Sequence, residues 1–197
     1  MGNKDSVPVV PAAPPNGGPA PLAEPDAEYR WVAKTSLSEA ATITVVAGLT
    51  PEEVVTALGG DPSEPMSFMS IVELGGYQPV VGVLAVDGVV LAVEENGFAG
   101  ADRDRLTALS RNGKAASLYW NINTRFQLSF AERDQLLYAG DPAHEVDAPH
   151  TEDLDFDDYH NRVSKGIVAI ARFTGRGFTE EDLTAIYTAD QAFLLDT

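Results

Sequence analysis

Residues 144–160 read HEVDAPHTEDLDFDDYH, a stretch that holds all three histidines of the chain and seven carboxylates, with no lysine or arginine. Imidazoles and carboxylates ligate metals, move protons in acid–base catalysis, and receive basic groups of a partner. Spacing decides among these. Asp153, Asp155 and Asp157 stand where a calcium loop carries its first three side-chain ligands. The position that needs glycine for the sharp turn is Asp158, and the position that needs a bidentate glutamate is Ser164. The residue four after His144 is Ala148, so the two-histidine helical zinc pair is absent. A two-histidine, one-carboxylate site would have to be assembled by folding around His150 and His160. The spacing therefore calls for no metal and no cofactor.

Two readings of the stretch remain. Five carboxylates crowd into residues 152–158, and their repulsion is tolerable only in water or beside a cation. In one reading they are a solvated loop running into the acidic start of a helix, where carboxylates favour the positive end of the dipole. In the other they receive a divalent ion or a basic partner through Asp153, Asp157 and Asp158, with His160 tuning the site near neutral pH.

The elements that must position these residues are legible around them. Phe156, Tyr159, Val163, Ile167, Ile170 and Ala171 recur at helical spacing, which predicts a helix from Thr151 or Leu154 to Thr174 with one buried face. A second helix is predicted to start at Thr179, the head of the capping box TEED, and to run through LTAIYTADQAFLL. Upstream, GLTPEEVVTALGGDP reads as a helix capped by Thr50 and Glu53 and stopped by Gly59 and Gly60. TITVVAG reads as a strand. VVGVLAVDGVVLAVEENG is two strands around Asp87-Gly88, a dipeptide suited to a tight hairpin, and the near-continuous apolar runs predict that both sheet faces are covered. ADRDRLTALSRNG is an amphipathic helix, with Arg103, Arg105, Arg111 and Lys114 placed on its exposed face and C-terminal end. AASLYWNI, TRFQLSFA and DQLLYAG follow as an antiparallel meander. The expected fold class is α+β: a mainly antiparallel sheet of about five to seven strands, the hairpin at its centre, helices packed on it and two helices at the C-terminal end.

Composition bounds the rest. The chain has 197 residues, no cysteine, and 30 acidic against 13 basic residues for a net charge of −17. Disulfides and thiolate chemistry are excluded. No basic residue occurs from Thr35 to Asp102, so nucleic-acid binding is not expected, and no apolar run has the length of a membrane span. Seven of the thirteen prolines fall within residues 1–27, a segment too poor in apolar surface to fold; a tail of 1–27 and a single domain of 28–197 are expected. Its apolar part is broken by prolines and makes no convincing secretory signal, so the location is expected to be cytoplasmic. The match of MGNKDS to a myristoylation pattern is too short to carry weight.

Other catalytic patterns are missing. There is no G-x-S-x-G elbow and no phosphate-binding loop. Gly175 and Gly177 follow a helix and read as a turn. Glu94 and Glu95 end a strand, and adjacent strand residues point to opposite faces, so they cannot act on one bond. Asn121 and Asn123 read as turn residues, and Trp31 and Trp120 as core.

The combination of SLSEAATITVVAGLTPEEVVTALGGDP, VLAVEENGF ahead of a helix, and SLYWNINTRFQLSFAE resembles an actinobacterial family known as a domain of unknown function. The resemblance spans about residues 29–195. It implies an actinobacterial or phage origin and assigns no catalytic or binding residue. Charge and the missing catalytic constellations together favour a non-catalytic acidic interaction module, of an immunity, regulatory or adaptor kind, for a basic protein partner. The alternatives are a component of a larger assembly strapped by its proline-rich arm, and a hydrolase that uses the loop histidines and carboxylates.

Overall fold

A computed structural model describes residues 24–68, 70–71, 78–145 and 147–196. Seven strands form one antiparallel sheet: β1 (Ala41–Ala47), β2 (Val80–Val86), β3 (Val89–Glu95), β4 (Lys114–Trp120), β5 (Phe126–Glu132), β6 (Gln135–Gly140) and β7 (Ala192–Leu194). Their order across the sheet is β6-β5-β4-β1-β3-β2-β7. The helices are α1 (Pro51–Leu58), α2 (Arg103–Leu109), α3 (Arg162–Thr174) and α4 (Glu180–Thr188), with short 3-10 segments at Ala27–Lys34, Ser36–Ser38, Ala99–Ala101 and Tyr159–Asn161. The α+β class is as expected from the sequence. No helix among the described residues is long and apolar enough to cross a membrane.

β1 sits in the middle, between β3 and β4, with Val45 opposite both Leu91 and Ala116. Alternation along the strands sends Ile43, Val45, Leu91, Val93, Leu118 and Leu128 to one face, against α3, α4 and the 3-10 segment at 27–34. Val46, Val81, Val83, Val90 and Ala92 point to the other face, against α1 and α2. Both faces of the sheet are covered, which explains the continuous apolar runs of β2 and β3. Asp87 and Gly88 turn the β2–β3 hairpin with φ of 49° and 82°, the left-handed pair that a two-residue hairpin needs. The β5–β6 turn uses Arg133 and Asp134, neither a glycine, at φ of 50° and 59°. Ser110 holds that turn, its carbonyl and hydroxyl accepting the Arg133 and Asp134 amides.

The capping boxes at Thr50/Glu53 and Thr179/Asp182 are formed, and Gly59 and Gly175 close α1 and α3 in the left-handed conformation. Three features differ from the sequence reading. The helix expected from residue 151 or 154 begins only at Arg162, because Asp155 and Asp158 turn their carboxylates onto the Asp157 and His160 amides and stabilise turns in place of a helix. Tyr159, expected on the buried stripe, is 63 % exposed. The last predicted helix stops at Thr188, and Ala192–Leu194 instead forms β7, pairing with β2 at the sheet edge. Two of the basic residues assigned to α2 also depart from expectation: Arg105 is half-buried, and Lys114 opens β4.

The sequence expects a tail over residues 1–27; residues 1–23 lie outside the described residues. Asp26 is 2 % exposed and accepts hydrogen bonds from the Arg30 guanidinium at 3.0 Å and the Ser164 hydroxyl at 2.9 Å. The chain is thereby fastened across α3.

Candidate functional site

β6 leads directly into the acidic stretch, and residues 142–145 and 147–157 curl around a concavity of about 550 Å³. Apolar contacts hold the curl. Phe156 is buried against Phe126, ring centroids 5.9 Å apart, and Ala148 is buried as well. The His150 ring packs against Phe130 and Phe173, at 5.3 Å from each. Lys165 Nζ donates to the Asp155 carbonyl at 2.5 Å, and Arg172 donates to the His150 carbonyl at 3.2 Å. At the start of the curl, Asp141 pairs with the buried guanidinium of Arg162. That guanidinium lies between the Phe126 and Tyr159 rings, 4.5 and 4.8 Å from their centroids. This stacking accounts for the exposed Tyr159, whose ring shields a buried cation.

The four residues singled out from the sequence do not share one site, although Asp153 and Asp158 line a cleft of about 220 Å³ together with Lys165. Asp153 makes a two-pronged pair with Arg172, at 2.5 and 3.0 Å, and the bond to that guanidinium holds its carboxyl below the ordinary carboxylate range. Asp158 pairs with Lys165 Nζ at 3.2 Å and accepts from Asn161 and the His160 amide; the lysine first, then the asparagine, lower its pKa. His160 lines a separate cleft of about 250 Å³ with Tyr29, Trp120 and Tyr159. Asp157 alone of the four lines the concavity. With it stand His144, Glu145, Asp147, Glu152 and Asp155. None of these five carboxylates closes an ion pair among the described residues.

The lack of lysine and arginine in 144–160 pointed to this place, but not to which of its acids would be neutralised. That selection is made by Lys165 and Arg172, which reach back from α3. Among the described residues no group of three histidine, aspartate or glutamate side chains could hold a metal ion.

Glu94 and Glu95 at the end of β3 separate as the strand geometry requires. Glu95 meets the Ser36 hydroxyl at 2.6 Å and the Tyr187 hydroxyl on the α4 side. Glu94 turns to the α2 side, is 2 % exposed, and accepts the Ala99 and Gly100 amides at 2.8 and 2.7 Å. Burial raises its pKa, while the two amides and the nearby Arg105 oppose that rise. Gly97 and Gly100 are needed here: a Cβ at either would collide with the Glu94 side chain or with Thr44. The turn roles expected of the asparagines hold, with Asn121 Oδ1 accepting the Asn123 and Arg125 amides. Trp120 is core, its indole donating to the Leu37 carbonyl at 2.9 Å.

No curated protein and no solved structure matches the chain. Residues 24–153 match a family of unknown function, DUF6461. That stretch takes in β1 to β6 and most of the acidic curl, while α3, α4 and β7 lie beyond it. It covers more than half of the 197 residues, and the chain belongs to the DUF6461 family.

Proposed function

We propose that this protein is a non-catalytic binding module that receives a basic segment of a partner protein in the concavity formed by residues 142–145 and 147–157. One observation carries the reading: Glu145, Asp147, Glu152, Asp155 and Asp157 line a concave surface and their carboxylates close no ion pair among the described residues, while Asp153 and Asp158 beside them are neutralised from within. Lysine and arginine side chains of a partner would relieve the repulsion among the five and gain charge-assisted hydrogen bonds. The net charge of −17 would speed the encounter with a basic partner and make it sensitive to salt. An actinobacterial setting belongs to the same proposal and rests on the sequence resemblance.

The test is affinity purification of the tagged protein from native extract at low and high salt. It is run in parallel with a variant reversing Glu145, Asp147 and Asp157 to lysine and a control reversing the exposed Glu39. The reading expects a basic protein recovered at low salt, lost at high salt, lost in the triple variant and kept in the control. A partner that survives both the salt and the triple reversal, or none at either salt, would overturn it.

A further inference from the structure

On the opposite face of the sheet from the acidic curl, a cleft of about 310 Å³ opens where the end of β3, the start of α2 and the end of β7 meet. Glu94 lines it from one side and Arg105 from another. Arg105 donates from Nη1 to the Leu58 carbonyl at 2.8 Å and forms no ion pair within 4.0 Å among the described residues. In a chain with 30 carboxylates and 13 cations, the other half-buried or buried arginines of the described residues, Arg30, Arg162 and Arg176, each close on a carboxylate. Here the carboxylate stands close enough for its charge to feel Arg105, yet the pair is left open. Glu94 spends one lone pair of each oxygen on the Ala99 and Gly100 amides, and a carboxylate has about four acceptor sites. Phe98, 40 % exposed, supplies an aromatic wall, and Pro79 and Leu195 supply apolar ones.

We propose that this cleft binds a free α-amino acid with an apolar side chain, its ammonium on Glu94, its carboxylate on Arg105 and its side chain against Phe98 and Leu195. The two charged ends of such a ligand lie on one carbon, which suits an open ion pair whose members share a cleft. Asp102 and Asp196 also line the cleft, so three carboxylates face one guanidinium. That balance disfavours a ligand carrying only negative charge and favours one that brings an ammonium. The volume lies at the small end of ligand sites, which fits a molecule of amino-acid size. The site is independent of the acidic concavity, and neither proposal depends on the other.

The experiment is titration calorimetry and thermal unfolding of the full chain with L-leucine and L-phenylalanine. The comparison ligands are 4-methylpentanoate, which lacks the amine, and 3-methylbutylamine, which lacks the carboxylate. The expected result is a concentration-dependent rise in Tm with an amino acid at up to about 10 mM. Removing either charged end should weaken binding about tenfold or more. Because Glu94→Gln also disturbs the turn it holds, Phe98→Ala on the rim locates the ligand: it should weaken binding, with a fall in the unliganded Tm limited to the loss of its contact with Tyr119. Reversing Asp157 should leave it intact. No binding of either amino acid, an amine or acid fragment that binds as well as the parent, or undiminished binding in Phe98→Ala would each overturn the proposal.

Discussion

The two acidic places of this molecule differ in what fixes their charge. Glu94 is a single carboxylate pinned by two backbone amides and closed in by Gly97 and Gly100. The acidic curl carries five carboxylates that close no ion pair among the described residues, on a segment held by rings and by ion pairs at its margin. Glu94 can therefore present one group in one geometry, as recognition of a small molecule requires. The curl presents a diffuse field, which attracts many basic shapes and is weakened by salt. The number of charges is no guide to how sharply a site discriminates.

The sharpest way to break this comparison is to loosen each place at its anchor. Phe156→Ala removes a buried ring beneath the curl and should cost about 3–4 kcal/mol in urea unfolding. A loss under about 1 kcal/mol would mean that charge, and not packing, holds the curl. Glu94→Ala leaves two amides without their acceptor and should cost about 3 kcal/mol; Glu94→Gln, which keeps one acceptor oxygen, should cost about half of that. Equal losses would place the importance of Glu94 in its charge.

Acid should separate the rim of the curl from its interior. Asp153 and Asp158 have folded-state pKa values lowered by Arg172 and Lys165. Their contribution is therefore present above the ordinary aspartate value of about 3.9 and is lost as pH falls through the lowered folded values. Unfolding midpoints of Asp153→Asn and Asp158→Asn should converge on the wild type as pH approaches the bottom of that window. The smallest effect is expected inside the curl. Asp157→Asn should change stability by no more than about 0.5 kcal/mol, because that carboxylate is exposed and closes no ion pair among the described residues. A larger loss would reveal a pairing that the comparison denies.

What the sequence could announce followed from local chemistry. The capping residues Thr50 and Thr179, the Asp87-Gly88 turn and the opposed Glu94 and Glu95 all act within a few residues of themselves. What it could not announce depends on distant partners. Arg133 and Asp134 lack the turn glycine and rely on Ser110. β7 exists because β2 offers an open edge. The helix stripe that took in Phe156 and Tyr159 was broken by local aspartate turns, and those two rings serve other contacts: one wedges under the curl, the other covers Arg162. In the candidate site, Asp153 and Asp158 looked no different from Asp157 until α3 folded back and neutralised the first two.

The strand order has a consequence for synthesis. β1 is made first and lies in the centre, so it waits for β3 and for β4, completed only at Trp120. At roughly 5–20 residues per second, that wait lasts several seconds. The face that α3 covers stays bare until Thr174 has emerged. A nascent chain halted at Gly140 thus carries a sheet with one greasy side exposed, a natural client for a holdase at the ribosomal exit.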